Sequence, residues 1–328
     1  MTDAGGEEAM ASGVPRRGLL RPVVGVGGAV AVGALTAVQA RVNGQLGLAL
    51  DAGLVAAVVS FGSGFLILVV LSAALPAGRR GLSSLATALR ERRLPWWLLA
   101  GGGAGAFSVA TQSLTVAVIG VAMFSVGMIA GQTVHGLVLD RVGYSPAGVS
   151  AVTLPRLAGA LLVLAAVAVS LTGGSIARTP LWMLVLPFLV GAGVAWQTAT
   201  NGRLRQRIGS ALSATLVNFA GGTLVLGVAA LCHVAFVGAP APAPPQPWLY
   251  LGGALGVAYI FISAALTPRT GVLLMTLGSV LGMLAASVVL DVVWPPESPP
   301  AVWQRALTVA LAAAGVIVAS LPPRLRRG

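Results

Sequence analysis

Apolar stretches of about 18 to 22 residues recur along the whole chain, and each, as helix, is long enough to cross the ~30 Å hydrocarbon core of a bilayer. Ten can be drawn: Pro22–Ala40, Leu54–Leu75, Trp96–Val118, Gly120–Leu139, Thr153–Leu171, Leu181–Thr200, Ala211–Leu231, Trp248–Thr267, Gly271–Leu290 and Trp303–Leu321. Only 9% of the residues are charged and 57% are hydrophobic, with a mean hydropathy of +0.93. A water-soluble domain of that make-up would have too little polar surface to cover itself. The expected class is an all-α integral membrane protein whose first partner is the lipid bilayer.

Charge sets the orientation. The formal net charge is +12, carried by twenty basic residues that are all Arg. They are scattered over the connections rather than gathered on one domain, so nucleic acid is not an expected partner. With a cytoplasmic N-terminus, seventeen arginines fall inside and only Arg41, Arg178 and Arg305 fall outside. This is the bias expected of loops that stay on the cytoplasmic side, and it places both termini there. No Ala-x-Ala-like cleavage site follows Arg16 and Arg17, so no removable leader is read.

The chain also repeats itself. Gln39-x-x-x-Asn43-Gly44 returns as Gln197-x-x-x-Asn201-Gly202, an offset of 158 that also pairs Phe61 with Phe219 and Gly64 with Gly222. After a shorter connection, an offset of 151 pairs Trp97 with Trp248, Gly101-Gly102 with Gly252-Gly253, Gly105 with Gly256 and Gly120 with Gly271. The same offset goes on to pair Gly127 with Gly278, Gly131 with Gly282 and Leu139-Asp140 with Leu290-Asp291.

Five spans per copy is an odd number, so the second copy must enter the membrane upside down. The loops agree: the connection 76–94 carries five arginines and its counterpart 238–247 none, whereas Arg41 stands opposite Arg203, Arg205 and Arg207. The expected division is a disordered cytoplasmic tail over 1–21, a five-helix repeat over 22–172, a linker over 173–179, a second repeat of inverted topology over 180–321 and a cytoplasmic tail over 322–328. Inverted repeats of this kind place substrate between them near the midplane in many secondary transporters.

Polar side chains inside the spans are the candidate site, because each needs a partner or a wet cavity. Gln39 and Asn43 share one helical face, as do Gln197 and Asn201. Either they wall the pathway, or they cap a helix end and pin the turn that Asn-Gly favours. Trp196 could stack a substrate or anchor the interface. Ser108, Thr111, Gln112 and Thr115 form a stripe on the third span, and Tyr259 and Ser263 answer Ser108 and Gln112 on the eighth. Gln132 and His135 lie three apart on the fourth, where a histidine could titrate near neutral pH. Asp140 and Asp291 recur just after the fourth and ninth spans, as anchors of the following loops or as gate carboxylates. Little other charge enters the spans, which points to a neutral or hydrogen-bonding substrate.

Gln-x-x-x-Asn-Gly at the end of the first span, Ser60-Phe61-x-x-Gly64 in the second and the twinned glycines opening the third resemble the YdcZ-like inner-membrane exporters of the drug/metabolite transporter superfamily, in a fused two-unit form. The resemblance covers nearly the whole chain. It implies a ten-helix transporter in the bacterial inner (plasma) membrane that exports small molecules, and no catalytic residue. The related small multidrug resistance proteins exchange protons for drug on a glutamate of their first helix, and this chain has no acidic residue in its first or sixth span.

With no lysine there is no phosphate-binding P-loop, Gly-x-Ser-x-Gly and His-Glu-x-x-His are absent, and no Cys/His cluster has metal-ligand spacing. The sequence therefore implies no enzyme activity, no cofactor and no metal. The leading expectation is a secondary transporter exporting a small polar or amphipathic metabolite, as a monomer or homodimer. The alternative is a non-transporting scaffold or lipid-recognition protein.

Overall fold

A computed structural model describes residues 17–144, 153–170, 181–295, 301–319 and 321, and within its helices the side chains of 17–26, 140, 156, 163, 167, 170, 181, 184, 263–277, 316 and 319 are not described. Residues 1–16 of the expected N-terminal tail, the linker 173–179 and the C-terminal tail 322–328 lie outside these. The described residues form helices and their connections and include no strand. In chain order the helices are α1 (Arg17–Ala49), α2 (Gly53–Ala74), α3 (Pro76–Arg90), α4 (Gly101–Arg141), α5 (Leu154–Ser170), α6 (Leu181–Ile208), α7 (Ala211–Phe236), α8 (Gly252–Val293) and α9 (Val302–Ala319).

Three apolar helical stretches among the described residues are long enough to cross a bilayer: Gly53–Ala74, Trp96–Leu139 and Ala211–Phe236. The 44 residues of Trp96–Leu139 would extend, as straight helix, to about twice the hydrocarbon thickness. They are divided at Gly120, whose φ of 83° and ψ of 160° leave the helical region. A side chain there would meet the steric penalty that glycine escapes. Gly120 separates the third and fourth expected spans, so that boundary is a break within α4 rather than a loop.

Helix starts and stops follow local chemistry. Gly209, at φ +69°, ends α6, and Ser210 caps α7 by accepting a hydrogen bond at Oγ from the Ser213 backbone N–H at 3.2 Å. Pro76 opens α3 at a position where its missing N–H has no helical partner to lose. The arginine-rich connection 76–94 thus contains a helix that the search for apolar spans passed over. Its buried positions Gly78, Gly81, Leu85 and Ala88 recur at three- and four-residue spacing. That stripe packs with Leu98, Leu204, Ile208 and Ala214, while Arg79, Arg80 and Arg90 stay exposed.

The halves interlock through α1 against α8 and α4 against α6. A methyl group on Gly33 of α1 would collide with the Ser279 carbonyl of α8, and one on Gly191 of α6 with the Met128 carbonyl of α4. The two contacts are the same contact under the offsets of 158 and 151. Gly282 against the Val30 carbonyl and Gly131 against the Phe188 carbonyl form a second such pair. Backbone therefore lies directly on backbone, the close approach that small residues permit within membranes. Between α2 and α7, Phe61 and Phe219 stack at 4.8 Å, each packed over the other half's glycine, Gly222 and Gly64 respectively.

Nothing lies within 4 Å of a methyl group placed on Gly136 or Gly227. Gly33→Ala and Gly191→Ala should each lower stability by about 1–3 kcal/mol through overpacking, whereas Gly136→Ala and Gly227→Ala should be neutral or slightly stabilising. Thermal unfolding of the four variants in detergent checks this, and equal losses in all of them would contradict the close-approach account.

Candidate functional site

The two Gln-x-x-x-Asn-Gly motifs lie inside helices. Helix α1 runs on past Asn43-Gly44 to Ala49, and α6 past Asn201-Gly202 to Ile208. The expectation that these residues cap a helix end and pin a turn is therefore corrected, because the backbone around both motifs is inside the helical ladder and leaves no helix end there to cap. Their side chains point instead at neighbouring helices.

In the first cluster Gln39 Nε2 donates to the Gly252 carbonyl at 2.7 Å, and Asn43 Nδ2 donates to Gln112 Oε1 at 2.7 Å. Gln112 reaches Ser108 Oγ at the long distance of 3.5 Å. The cluster is sealed: Gln39 is 4% exposed, Asn43 0% and Gln112 3%. Asn43 Oδ1 and Ser60 Oγ are buried with no hydrogen-bond partner, and both abut Gly252, where any side chain would displace them. Leaving such groups unpaired costs about 1–3 kcal/mol each.

The second cluster centres on Asn218 of α7. Its Oδ1 accepts from Gln197 Nε2 at 2.9 Å and from Asn201 Nδ2 at 3.2 Å. Asn218 is buried, but Gln197 and Asn201 are only half-buried. Under the repeat offset Asn218 stands where Ser60 stands in the first half. Its importance was legible in that alignment, since Asn218-Phe219-x-x-Gly222 answers Ser60-Phe61-x-x-Gly64, yet an isolated asparagine in a span gave no separate signal.

The other expected residues are not drawn into these clusters. Tyr259 is half-buried against Ala29 and Val32 of α1, and the Ser263 side chain lies outside the described residues. Gln132, His135 and Trp196 are half-buried on α4 and α6. A cavity of about 560 Å³ lined by Ser83, Ser84, Thr87, Arg93 and Arg207 opens beside α3 and shares no residue with either cluster. It is a groove beside α3 rather than the polar centre of the bundle.

Sequence reasoning also misplaced a charged group. Arg41 belongs to α1 rather than to a loop and is 5% exposed, and Asp291, at 1%, belongs to α8 rather than to the segment after it. Asp291 Oδ1 and Oδ2 accept the backbone N–H groups of Val121 and Ala122, each at 2.8 Å. The carboxylate thereby caps the helical segment that restarts after Gly120, satisfying donors that the break would orphan. Arg305 Nη1 donates to the Asp291 backbone carbonyl at 3.3 Å, and the charge of Arg41 acts on Asp291. Two of the three arginines expected outside, Arg41 and Arg305, thus gather around one buried carboxylate.

With this geometry in view, comparison with known proteins is informative. The family described as "Putative inner membrane exporter, YdcZ" matches residues 24–169 and again residues 182–318. The chain belongs to this family. The double match is consistent with a two-repeat form, and membership makes this an inner-membrane protein of an exporter type rather than of an enzyme class. No curated protein matches the chain. A solved structure titled "Crystal structure of protein" is similar at 19% identity, with a TM-score of 0.51 over 94% of this chain and 98% of that one. At that identity the likeness concerns the fold alone.

For this member of the family, Asn218→Ala should strand the Gln197 and Asn201 amides and destabilise the protein by about 1–3 kcal/mol. Ser60→Ala removes a hydroxyl that has no partner and should be neutral or better. Chemical or thermal unfolding of the two variants reads the difference, and a Ser60→Ala loss as large as that of Asn218→Ala would refute the assignment of Asn218 as the hub.

Proposed function

We propose that the chain is a secondary transporter that exports a small polar or amphipathic metabolite by alternating access between two inverted five-helix units, 22–172 and 180–321, joined by the linker 173–179. Both termini lie in the cytoplasm. The observation that carries the reading is the pair of amide clusters at repeat-equivalent positions, Gln39 and Asn43 against Gln197 and Asn201, one sealed and one half-open. A symmetric pair of sites in unequal states is what a two-sided gate presents when one side is closed.

The chemistry of the clusters supports a hydrogen-bonding cargo. Carboxamides offer both donors and acceptors at little desolvation cost compared with fixed charges, and Gln39, Asn43, Gln112, Gln197, Asn201 and Asn218 supply six of them. The interlocked backbones of α1 with α8 and α4 with α6 move most readily as rigid pairs, so exchange of access falls on the polar seams between the pairs. The sealed cluster ends the first expected span, near the outer face, and the half-open one ends the sixth, near the cytoplasm. Cargo would therefore enter from the cytoplasmic side in the described state.

Untargeted comparison of small molecules released by cells expressing the wild-type chain or Asn43→Ala/Asn201→Ala, at matched membrane abundance, tests the proposal. A compound enriched outside only wild-type cells is the expected result. Release indistinguishable from that of cells lacking the protein would count against export. For orientation, alkaline phosphatase inserted within 238–247 should be active and a fluorescent protein fused at the C-terminus should fluoresce, since one is placed outside and the other inside. The reverse pattern would invert the proposed topology.

A further inference from the structure

We propose that Arg41 is a recognition site for a carboxylate, and that the exported substrate carries one. The inference rests on the transport reading above and names its substrate class. Arg41 is 95% buried by its 5% exposure, yet its Nε and Nη1 have no hydrogen-bond partner. A guanidinium removed from water without partners is among the least favourable things a folded chain can contain. Such a group points to a ligand that completes it.

The natural counterion, Asp291, does not complete it. Its two oxygens are committed to the Val121 and Ala122 backbone N–H groups at 2.8 Å, and Arg41 and Asp291 make no ion pair within contact distance among the described residues. Arg305 adds a second positive charge at the Asp291 backbone. The charges of two guanidinium groups act on one carboxylate, leaving the place where α1, the break in α4 and the end of α8 meet one positive charge in excess.

The free edge of Arg41 presents parallel N–H donors, the arrangement that matches a carboxylate with two hydrogen bonds. Asp291 displays in the same neighbourhood how a carboxylate is received, held by two backbone donors at a restarting helix. The site lies on the opposite face of α1 from Gln39 and Asn43, one helix away from the sealed amide cluster. On the proposed topology it is at the outer end of the route, where a substrate leaving the amide cluster would next be held.

The position is absent from the second half, whose equivalent of Arg41 is Ala199. A single anion site on one side of a duplicated bundle gives the route a direction in charge that the repeat alone lacks. It narrows the expectation of a neutral or hydrogen-bonding substrate, which rested on spans free of charge, to a hydrogen-bonding one that carries a carboxylate.

The test uses the full chain in nanodiscs, titrated at constant ionic strength with acetate, butyrate, hexanoate or benzoate and with the matched primary amides. Saturable thermal stabilisation by a carboxylate and none by its amide is expected. Arg41→Gln should weaken the effect at least roughly tenfold, and Arg41→Lys, which keeps the charge but loses the paired donors, should fall between. Arg79→Gln, at an exposed position of α3, should leave the saturable binding unchanged. If Arg41→Gln does not fold, Arg41→Lys alone decides, with unchanged affinity overturning the proposal.

Equal responses to acids and amides, or wild-type affinity in Arg41→Gln, would also overturn it. Flux in proteoliposomes separates this inference from the one beneath it. Transport of uncharged compounds with no carboxylate binding defeats the substrate class and leaves the transporter. Carboxylate binding at Arg41 without flux of any bound acid under any gradient upholds the site as a recognition site and defeats its role in export.

Discussion

Backbone packed on backbone is the contact that organises this bundle. Where α1 meets α8 and α4 meets α6, a glycine stands against a carbonyl oxygen, with no side chain between. Lipid tails are as apolar as leucine, so burying leucine gives helices in a bilayer little reason to associate, and close van der Waals approach has to take its place. Once those pairs are drawn together, the positions left between them are few and narrow. The amides of Gln39, Asn43, Gln197 and Asn201 occupy those positions because a carboxamide can hydrogen-bond across a gap that a larger group could not enter.

The same closeness explains why the interior polar groups are economical. Asn218 receives two donors on one oxygen, and Asp291 gives both of its oxygens to a single interrupted helix. Water cannot supply missing partners in hydrocarbon, so a break such as that at Gly120 is tolerated only where protein closes it. Asp291 does so from another helix and, in doing so, fixes the end of α8 to the middle of α4.

Much of this was legible in the sequence, because membrane helices announce themselves by length and hydropathy and because a duplication writes many positions twice. The offsets linking Gly33 to Gly191 and Gly131 to Gly282 are readable without coordinates, and the reciprocal contacts obey them. What escaped was whatever depends on where a helix ends. Hydropathy falls at Arg41 and again at Asp291, so both look like the first residues of loops, while the backbone continues as helix and carries them inward. Helix α3 was missed for the converse reason: five arginines within 76–94 mask an apolar stripe that is visible only at helical spacing. Asn218 was hidden because its counterpart is Ser60, and a repeat search rewards identity rather than shared polarity.

The crossing of partners between halves also sets a schedule for assembly. Helix α1 packs on α8, and roughly 200 residues of chain separate them. At the usual pace of synthesis of about 5–20 residues per second, the first helix waits on the order of 10–40 s for its partner to emerge. During that interval the Gln39 amide faces lipid or the insertion machinery with no Gly252 carbonyl to receive it. Biogenesis of this protein is therefore an exercise in delayed pairing, and the half made first is the half that needs shelter.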